Sequence, residues 1–452
     1  MTKMKTLPAE KVDKVNKDNK KPKLNFDLTD KEAIKTTSTK NVALILQHDP
    51  NLKNILKFNR FTDEIDVVKP VTLDLTKQGI PKIVLQKGQL NDGVVNDIVL
   101  YISVSPEYKT TFKPNLVSQV IDSVARANSY NPVIDYFEKC LAKWDKKPRL
   151  DDFLQKYLGA DESEATKLTV RLWFMGAVAK GYNPLTKFDY VLDLVGGQGI
   201  GKTTLLREIA PCGFYTDQFN SFTDKDDKAE LKNALIVNDD EMTASNRSSF
   251  EVVKKFITEQ VFRYRPSYGK YIMTFNKGFV MARTTNEVQH LKDKSGDRRF
   301  LSIKCDEKRQ RVHPVEGLKQ EEIDQVWGEA VYLWKHTKDP FKLSPKQEAI
   351  LADNRQQFLA TSEVEDEIKV LLDGQFKDRK FISNQEMRQA LLIGLGREVK
   401  SKDIKTMRYV MSHMGFEVGA SGYDPISKKS SRGFKKMWCL WWKCDALQPY
   451  SL

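Results

Sequence analysis

Between Ser163 and Ala179 apolar residues recur at Ala165, Leu168, Leu172, Met175 and Val178, the spacing of one helix face. Ser163 supplies a capping hydroxyl in front of the run, and Gly181 and Pro184 close it, so a scaffold helix is predicted within a mostly helical stretch from Asn115 to Gly181. From about Lys187 to Lys304 the rhythm changes. Short apolar segments at Tyr190–Val195, Ala234–Val237 and Phe279–Thr284 alternate with helical ones, the pattern of a parallel sheet with crossover helices. Towards the N-terminus, Val42–Leu46 and Leu52–Phe58 read as helical, while Ile65–Val71 and the β-branched Asp97–Val104 read as extended. A helix over Glu321–Lys335 follows the sheet region, and Leu343–Ala360 reads as a linker.

The last segment has its own pattern. Ile382–Leu395 points Met387, Leu391 and Leu395 inward and ends at Gly396; Lys402–Met414 does the same with Ile404, Met407, Val410 and Met411 and ends at Gly415. Two alternating pieces, Phe416–Val418 and Met437–Trp442, flank the polar loop Gly419–Lys436. Helix, helix and hairpin with a basic tip is the order of a winged helix, whose second helix enters a major groove while the wing touches backbone. Lys402, Lys405 and Arg408 on the helix and Lys428, Lys429, Arg432, Lys435 and Lys436 on the wing are the candidate DNA contacts. Trp438, Trp441 and Trp442 are assigned to packing.

Composition sharpens this picture. Of 452 residues, 40% are hydrophobic and 10% aromatic, enough to bury cores and exclude wholesale disorder. No apolar run approaches the length of a membrane span, and the first residues are lysine-rich, so neither a membrane nor an export signal is expected and the cytoplasm is the default. Five widely spread cysteines without a CxxC pair, and no histidines at ligand spacing, argue against a disulfide framework or a structural zinc site. The net charge of +13 is concentrated at the two ends: residues 1–24 carry eight lysines against three acids, and residues 376–443 carry fifteen Lys and Arg against six Asp and Glu. That placement suits a polyanionic partner such as nucleic acid.

The central block carries the chemistry. Gly196-Gly197-Gln198-Gly199-Ile200-Gly201-Lys202-Thr203 fits G-x-x-x-x-G-K-[ST], after a strand and before a helix-like segment beginning Thr203-Thr204. The glycines let backbone N–H groups surround phosphate oxygens, Lys202 neutralises the β- and γ-phosphates of ATP, and Thr203 holds Mg²⁺. The strand Ala234–Val237 runs into Asn238-Asp239-Asp240-Glu241, where Asp240 is assigned to the metal, with Asp239 as its rival, and Glu241 to the general base. Asn286, after the third strand, is placed as a sensor of the γ-phosphate and lytic water. Arg298 and Arg299 in Gly296-Asp297-Arg298-Arg299-Phe300 are placed as phosphate-recognising arginines, one of which, left open between the two, would stabilise transition-state charge from a neighbouring subunit.

The order of these features resembles the virulence-associated E family of P-loop ATPases, and within it the replication initiator helicases of staphylococcal pathogenicity islands. It rests on Asn131-Pro132-Val133, Trp144-Asp145, Arg149-Leu150-Asp151, Tyr157-Leu158-Gly159-Ala160, the P-loop, the acidic pair, Phe262–Lys270, Thr284-Thr285-Asn286, Gly296–Phe300 and Trp327-Gly328-Glu329-Ala330. The resemblance implies an AAA+ or superfamily-3-like ring helicase, hexameric, with ATP between subunits and DNA threaded through the pore. It places pore elements at Arg263–Lys270 and in a hairpin turning at Asn276-Lys277-Gly278, with Lys277 at the tip as a pore contact.

The expected fold class is therefore α/β: a basic flexible tail (1–40), a small α+β N-terminal module (41–114), a helical collar (115–184), an AAA+ ATPase core (185–340), a linker (341–375) and a winged-helix domain (376–452). The expected activity is ATP-driven DNA unwinding from an origin, with origin duplex, single-stranded DNA, further copies of the chain and replication proteins as partners. An ATP-switched DNA-binding regulator without unwinding is the alternative. Asp63 and Asp66 read as a surface turn rather than a metal site, so no priming activity is expected.

Overall fold

The structure, a computed structural model, describes residues 24–264, 272–291, 297–360 and 363–437. At its centre is a five-stranded, wholly parallel sheet built from β1 (Val191–Val195), β2 (Tyr215–Thr216), β3 (Ile236–Asp239), β4 (Val280–Thr285) and β5 (Phe300–Lys304), in the order β5-β1-β4-β3-β2. β1, β3 and β4 are buried along their whole length, which is why they read as continuous apolar runs. The period of two then sorts their side chains. Leu192, Leu194, Ile236, Val280 and Ala282 face one core, and Val191, Val195, Val237, Met281 and Phe300 face another.

Helices cover the first face. The scaffold helix, Glu164–Tyr182, is capped as expected, with the Ser163 side chain accepting from Thr166 N–H. It is buried nearly all round rather than on one face, because helices Pro132–Lys143, Leu150–Leu158 and Gln320–His336 enclose it and the sheet lies beneath. Trp173 Nε1 donates to Met281 O of β4 at 3.0 Å, joining helix to sheet. The second face is closed by Phe222, Phe256, Phe262 and Phe279. Here a two-stranded antiparallel hairpin, Val261–Tyr264 with Met273–Asn276, leaves the sheet; its turn and the Arg265–Lys270 part of the predicted pore segment lie outside the described residues.

The N-terminal unit has a separate core and departs from the sequence reading at several points. Residues 24–40 are not a flexible tail: Asp27 accepts from Ser38 Oγ (2.7 Å) and Lys40 Nζ (2.8 Å), and Phe26 packs on Tyr108, while residues 1–23 lie outside the described residues. Leu52–Phe58 is a turn leading into the strand Leu56–Asn59, which pairs with Glu64–Val67. Asp97–Val104 is the end of helix Asp92–Val104, because Asn91 caps it and Val95, Ile98 and Ile102 fall on one buried face. The first expected collar helix, Pro114–Ala127, buries Val117, Val120 and Ile121 in this N-terminal core. Asp66 accepts from Tyr130 Oη (2.6 Å) and Asn59 Nδ2 (2.9 Å), a structural tie between the two units.

The stretch read as a linker is largely helical. Ser344 and Gln347 form a capping box for Pro345–Gln356, whose Asn354 donates to Ser302 O at 2.9 Å, and Glu363–Asp373 packs into the C-terminal core through Val364 and Ile368. In the C-terminal unit, helices Asn384–Leu395 and Ser401–His413 are as expected, preceded by a short strand Phe381–Ser383. The wing strands are not. Phe416–Asp424 and Lys429–Lys436 pair with each other, so the hairpin lies inside the expected polar loop; Met437 is irregular and 438–442 lie outside the described residues. Among the described residues no helix is long and apolar enough to cross a membrane.

Candidate nucleotide site

The carboxyl ends of β1, β3 and β4 open onto one cleft of about 290 Å³, lined by Gln198, Gly199, Gly201, Lys202, Thr203, Thr204, Asp240, Glu241, Thr284, Thr285, Asn286, His313 and Val315. From β1 the backbone turns through the glycine loop into helix Lys202–Glu208, which is anchored by Leu205 and Leu206 in the core beneath. Gly201 has a φ of +93°, and a Cβ there would lie 2.9 Å from Pro314 Cδ, so only glycine passes. Ile200 is buried and packs, whereas Gly196 and Gly197 offer carbonyls. Lys202 Nζ donates to both of these at 2.6 Å and to Asn286 Oδ1 at 3.3 Å. Burial lowers the Lys202 pKa below the usual lysine range, so an arriving polyphosphate would restore favourable charge pairing.

Alternation along β3 separates the two rival acids. Asn238 shares the face of the glycine-loop helix, and Asp239 points the other way, accepting from Ala244 N–H (2.8 Å), Ser245 N–H (2.9 Å) and Ser245 Oγ (2.5 Å). Asp239 is thus a buried cap for the next short helix, and burial pushes its carboxyl pKa up. Asp240 lies in the cleft. Its Oδ1 accepts from Thr203 Oγ1 at 2.6 Å, Thr284 Oγ1 at 2.7 Å and Asn238 Nδ2 at 3.2 Å. Thr203 and Asp240 are hard oxygen donors a hydrogen bond apart, a sparse set that fits a magnesium ion retaining waters and nucleotide oxygens. Among the described residues no group of three or more His, Cys, Asp or Glu side chains is placed to hold a metal ion.

Glu241 and Met242 have φ of +52° and +51°, two successive left-handed non-glycine residues. The turn is held by Glu241 N–H donating to Thr284 Oγ1 at 2.9 Å, and it presents the Glu241 side chain to the cleft. Thr284 therefore ties both acids to β4. Asn238, Thr284, Thr285, His313 and Val315 were not among the residues assigned from sequence. A buried Asn and Thr inside apolar strands were the available signal for the first two; nothing local marks His313 or Val315, which reach the loop from more than a hundred residues away.

Other assigned residues lie elsewhere. Arg298 and Arg299 precede β5, whose Phe300 is in register with Val191, so they sit at the opposite edge of the sheet from the glycine loop. There they line a second cavity of about 680 Å³ with Lys187, Asp189, Tyr190 and Arg355. Lys277 is not an exposed tip: it is 2% exposed, donates to Ile257 O at 2.6 Å and lies 5.5 Å from the rings of Phe256 and Phe279. The hairpin does not turn at Asn276-Lys277-Gly278, which instead links the strand Met273–Asn276 to β4, and the aromatic core behind it covers Lys277. In the C-terminal unit Lys402, Lys405, Arg408, Lys428, Lys429, Arg432, Lys435 and Lys436 all lie at least partly in solvent.

A parallel five-stranded α/β sheet with a glycine loop at its carboxyl edge defines the class of protein. Residues 137–360 match the family described as the virulence-associated protein E-like domain, which supports that family for the stretch holding the sheet and cleft. No curated protein matches the chain. Among solved structures, the chain is similar to an A-form apo structure of the NrS-1 C-terminal region, at 14% identity and a TM-score of 0.42, covering 84% of this chain and 96% of that one. It is similar to another apo structure of that region at 15% identity and a TM-score of 0.43, with the same coverage.

Proposed function

We propose that the protein is an ATP hydrolase that drives DNA unwinding, an AAA+ or superfamily-3-like replicative helicase and initiator of the kind found in staphylococcal pathogenicity islands. The observation that carries this reading is the convergence of Lys202, Thr203, Asp240, Glu241 and Asn286 on one cleft while Arg298 and Arg299 stand at the far edge of the sheet. A single chain would then supply the phosphate cradle, and its arginines would serve the cleft of a neighbouring copy, as a closed ring, for example a hexamer, would arrange.

In this mechanism Lys202 leaves the Gly196 and Gly197 carbonyls for the β- and γ-phosphates. Magnesium, held by Thr203 and Asp240, supplies charge neutralisation at the polyphosphate. Glu241 takes the proton of the attacking water, and Asn286 orients that water against the γ-phosphate. The C-terminal unit supports a winged-helix reading: the exposed face of Ser401–His413 with Lys402, Lys405 and Arg408 would enter a groove of origin DNA, and the basic hairpin would touch backbone. ATP-dependent strand displacement on a forked duplex, abolished by Lys202→Ala and by Glu241→Gln, tests the proposal. Nucleotide-dependent DNA binding without displacement would instead support the ATP-switched regulator.

A further inference from the structure

The cleft continues past the glycine loop to His313 and Val315, on the segment that follows β5. This segment is tied down residue by residue. Asp306 N–H donates to Leu158 O (3.1 Å), and Arg311 and Val312 N–H both donate to Lys156 O (3.0 and 3.1 Å). Gln310 Nε2 donates to Tyr157 O (2.6 Å) and to Ile200 O of the glycine loop itself (2.9 Å). The close approach depends on Gly159, whose φ is +59° and whose missing Cβ would lie 1.9 Å from Asp306 O. Pro314 is buried beside Gly201.

His313 completes the fixation. Val315 N–H donates to His313 Nδ1 (3.3 Å), which puts the ring proton on Nε2, and Nε2 donates to Gly199 O at 3.0 Å. The turn is thereby coupled to the loop backbone through a single neutral tautomer. What this anchoring holds in place is an apolar side chain in water: Val315 is 68% exposed and belongs to none of the buried clusters. Elsewhere the cleft is lined by Gln198, Lys202, Thr203, Thr204 and the acidic turn, so a rigid apolar group there has no apolar cover among the described residues.

We infer that the His313–Val315 turn is the base-side platform of the site: the flat apolar face of a purine rests on Val315 while the phosphates of the same nucleotide occupy the glycine loop. The inference rests on the nucleotide reading above and deepens it. It makes the ligand a nucleoside triphosphate held at both ends, and it makes inorganic polyphosphate a poor substitute. Covering one valine face is worth about a factor of ten in affinity.

The test is equilibrium titration of the full chain, with Mg²⁺, against ATP and separately against inorganic triphosphate. Wild type should bind ATP at least tenfold more tightly than triphosphate. Val315→Asn, which removes the apolar face without adding charge, should weaken ATP about tenfold and leave triphosphate within twofold, which also shows the variant to be folded, and Val315→Leu should retain both affinities. Equal binding of the two ligands by wild type, or an equal effect of Val315→Asn on both, overturns the platform and leaves the phosphate cradle standing. A wild type that binds neither overturns the nucleotide reading itself.

Discussion

Replacing Thr284 by Val keeps the shape of a buried side chain and removes one oxygen. That oxygen accepts from Glu241 N–H at 2.9 Å and donates to Asp240 Oδ1 at 2.7 Å. A hydrogen bond to a carboxylate contributes roughly 1.5–3 kcal/mol, and an orphaned backbone donor costs about 1–3 kcal/mol. The turn it restrains holds two non-glycine residues at positive φ, each carrying strain on the order of 1–3 kcal/mol. If about 2–3 kcal/mol of positioning is lost where Glu241 meets the attacking water, kcat for ATP hydrolysis should fall roughly 30- to 150-fold. KM for ATP should stay within about twofold, because Lys202 and the glycine-loop backbone are held by other partners. Steady-state ATPase kinetics on Thr284→Val and Thr284→Ser separate the cases, since Ser restores the oxygen and should restore most of kcat. Full turnover by Thr284→Val, or no recovery in Thr284→Ser, would refute the claim that this hydroxyl aligns the acidic turn.

Three further outcomes are expected. Asp193, fully buried on β1, forms a two-armed ion pair with Arg283 (2.8 and 2.6 Å) and bonds His290 (2.9 Å), so Asp193→Asn should destabilise the protein by about 3–5 kcal/mol in denaturant titration. Burial alone would raise the Asp193 pKa, but Arg283 and His290 prevail and hold it at about 2. A depressed carboxyl stabilises fully above its ordinary value of 3.8 and loses that contribution as pH falls through about 2, so wild type should lose stability across this window with a slope absent from Asp193→Asn. Lys277 is pushed down to about 7 by burial, so its protonation opposes folding, and stability should rise with pH between about 7 and the ordinary lysine value of 10.5. In thermal melts Lys277→Met should remove the part of that rise between about 7 and 8, leaving above 8 the part that the buried Lys180 also contributes, and should leave DNA affinity unchanged. Replacing Lys402, Lys405 and Arg408 together by Ala should flatten the dependence of log affinity for duplex DNA on log salt by about 0.9 for each phosphate these side chains neutralise, measured by fluorescence anisotropy.

Elements whose signals are local could be read from the chain. The Ser163 cap, the glycine loop and the helix after it depend on contacts within a few residues, and β1 announces itself by an unbroken apolar run although its ladder partners are distant, so letters and spacing suffice. Asp97–Val104 misled because β-branching suggested a strand, although the same residues sit at helical spacing behind Asn91. The hairpin Phe416–Asp424 with Lys429–Lys436 hid within a polar stretch because much of both strands is exposed, leaving little alternation to detect.

Which side chains meet was decided by strand pairing between distant segments. The register of β3 and β4 turns Asp239 towards the Arg283 side and places Asp240 against Thr203 and Thr284; a Lys in a turn-rich tripeptide is buried because aromatic residues from distant segments close over it. Arg298 and Arg299 stand only 12 and 13 residues beyond Asn286 in the chain, yet the parallel direction of β5 carries them to the opposite edge of the sheet. Local periodicity records which face of a segment is apolar; the face it meets belongs to another part of the chain, and only the folded arrangement brings the two together.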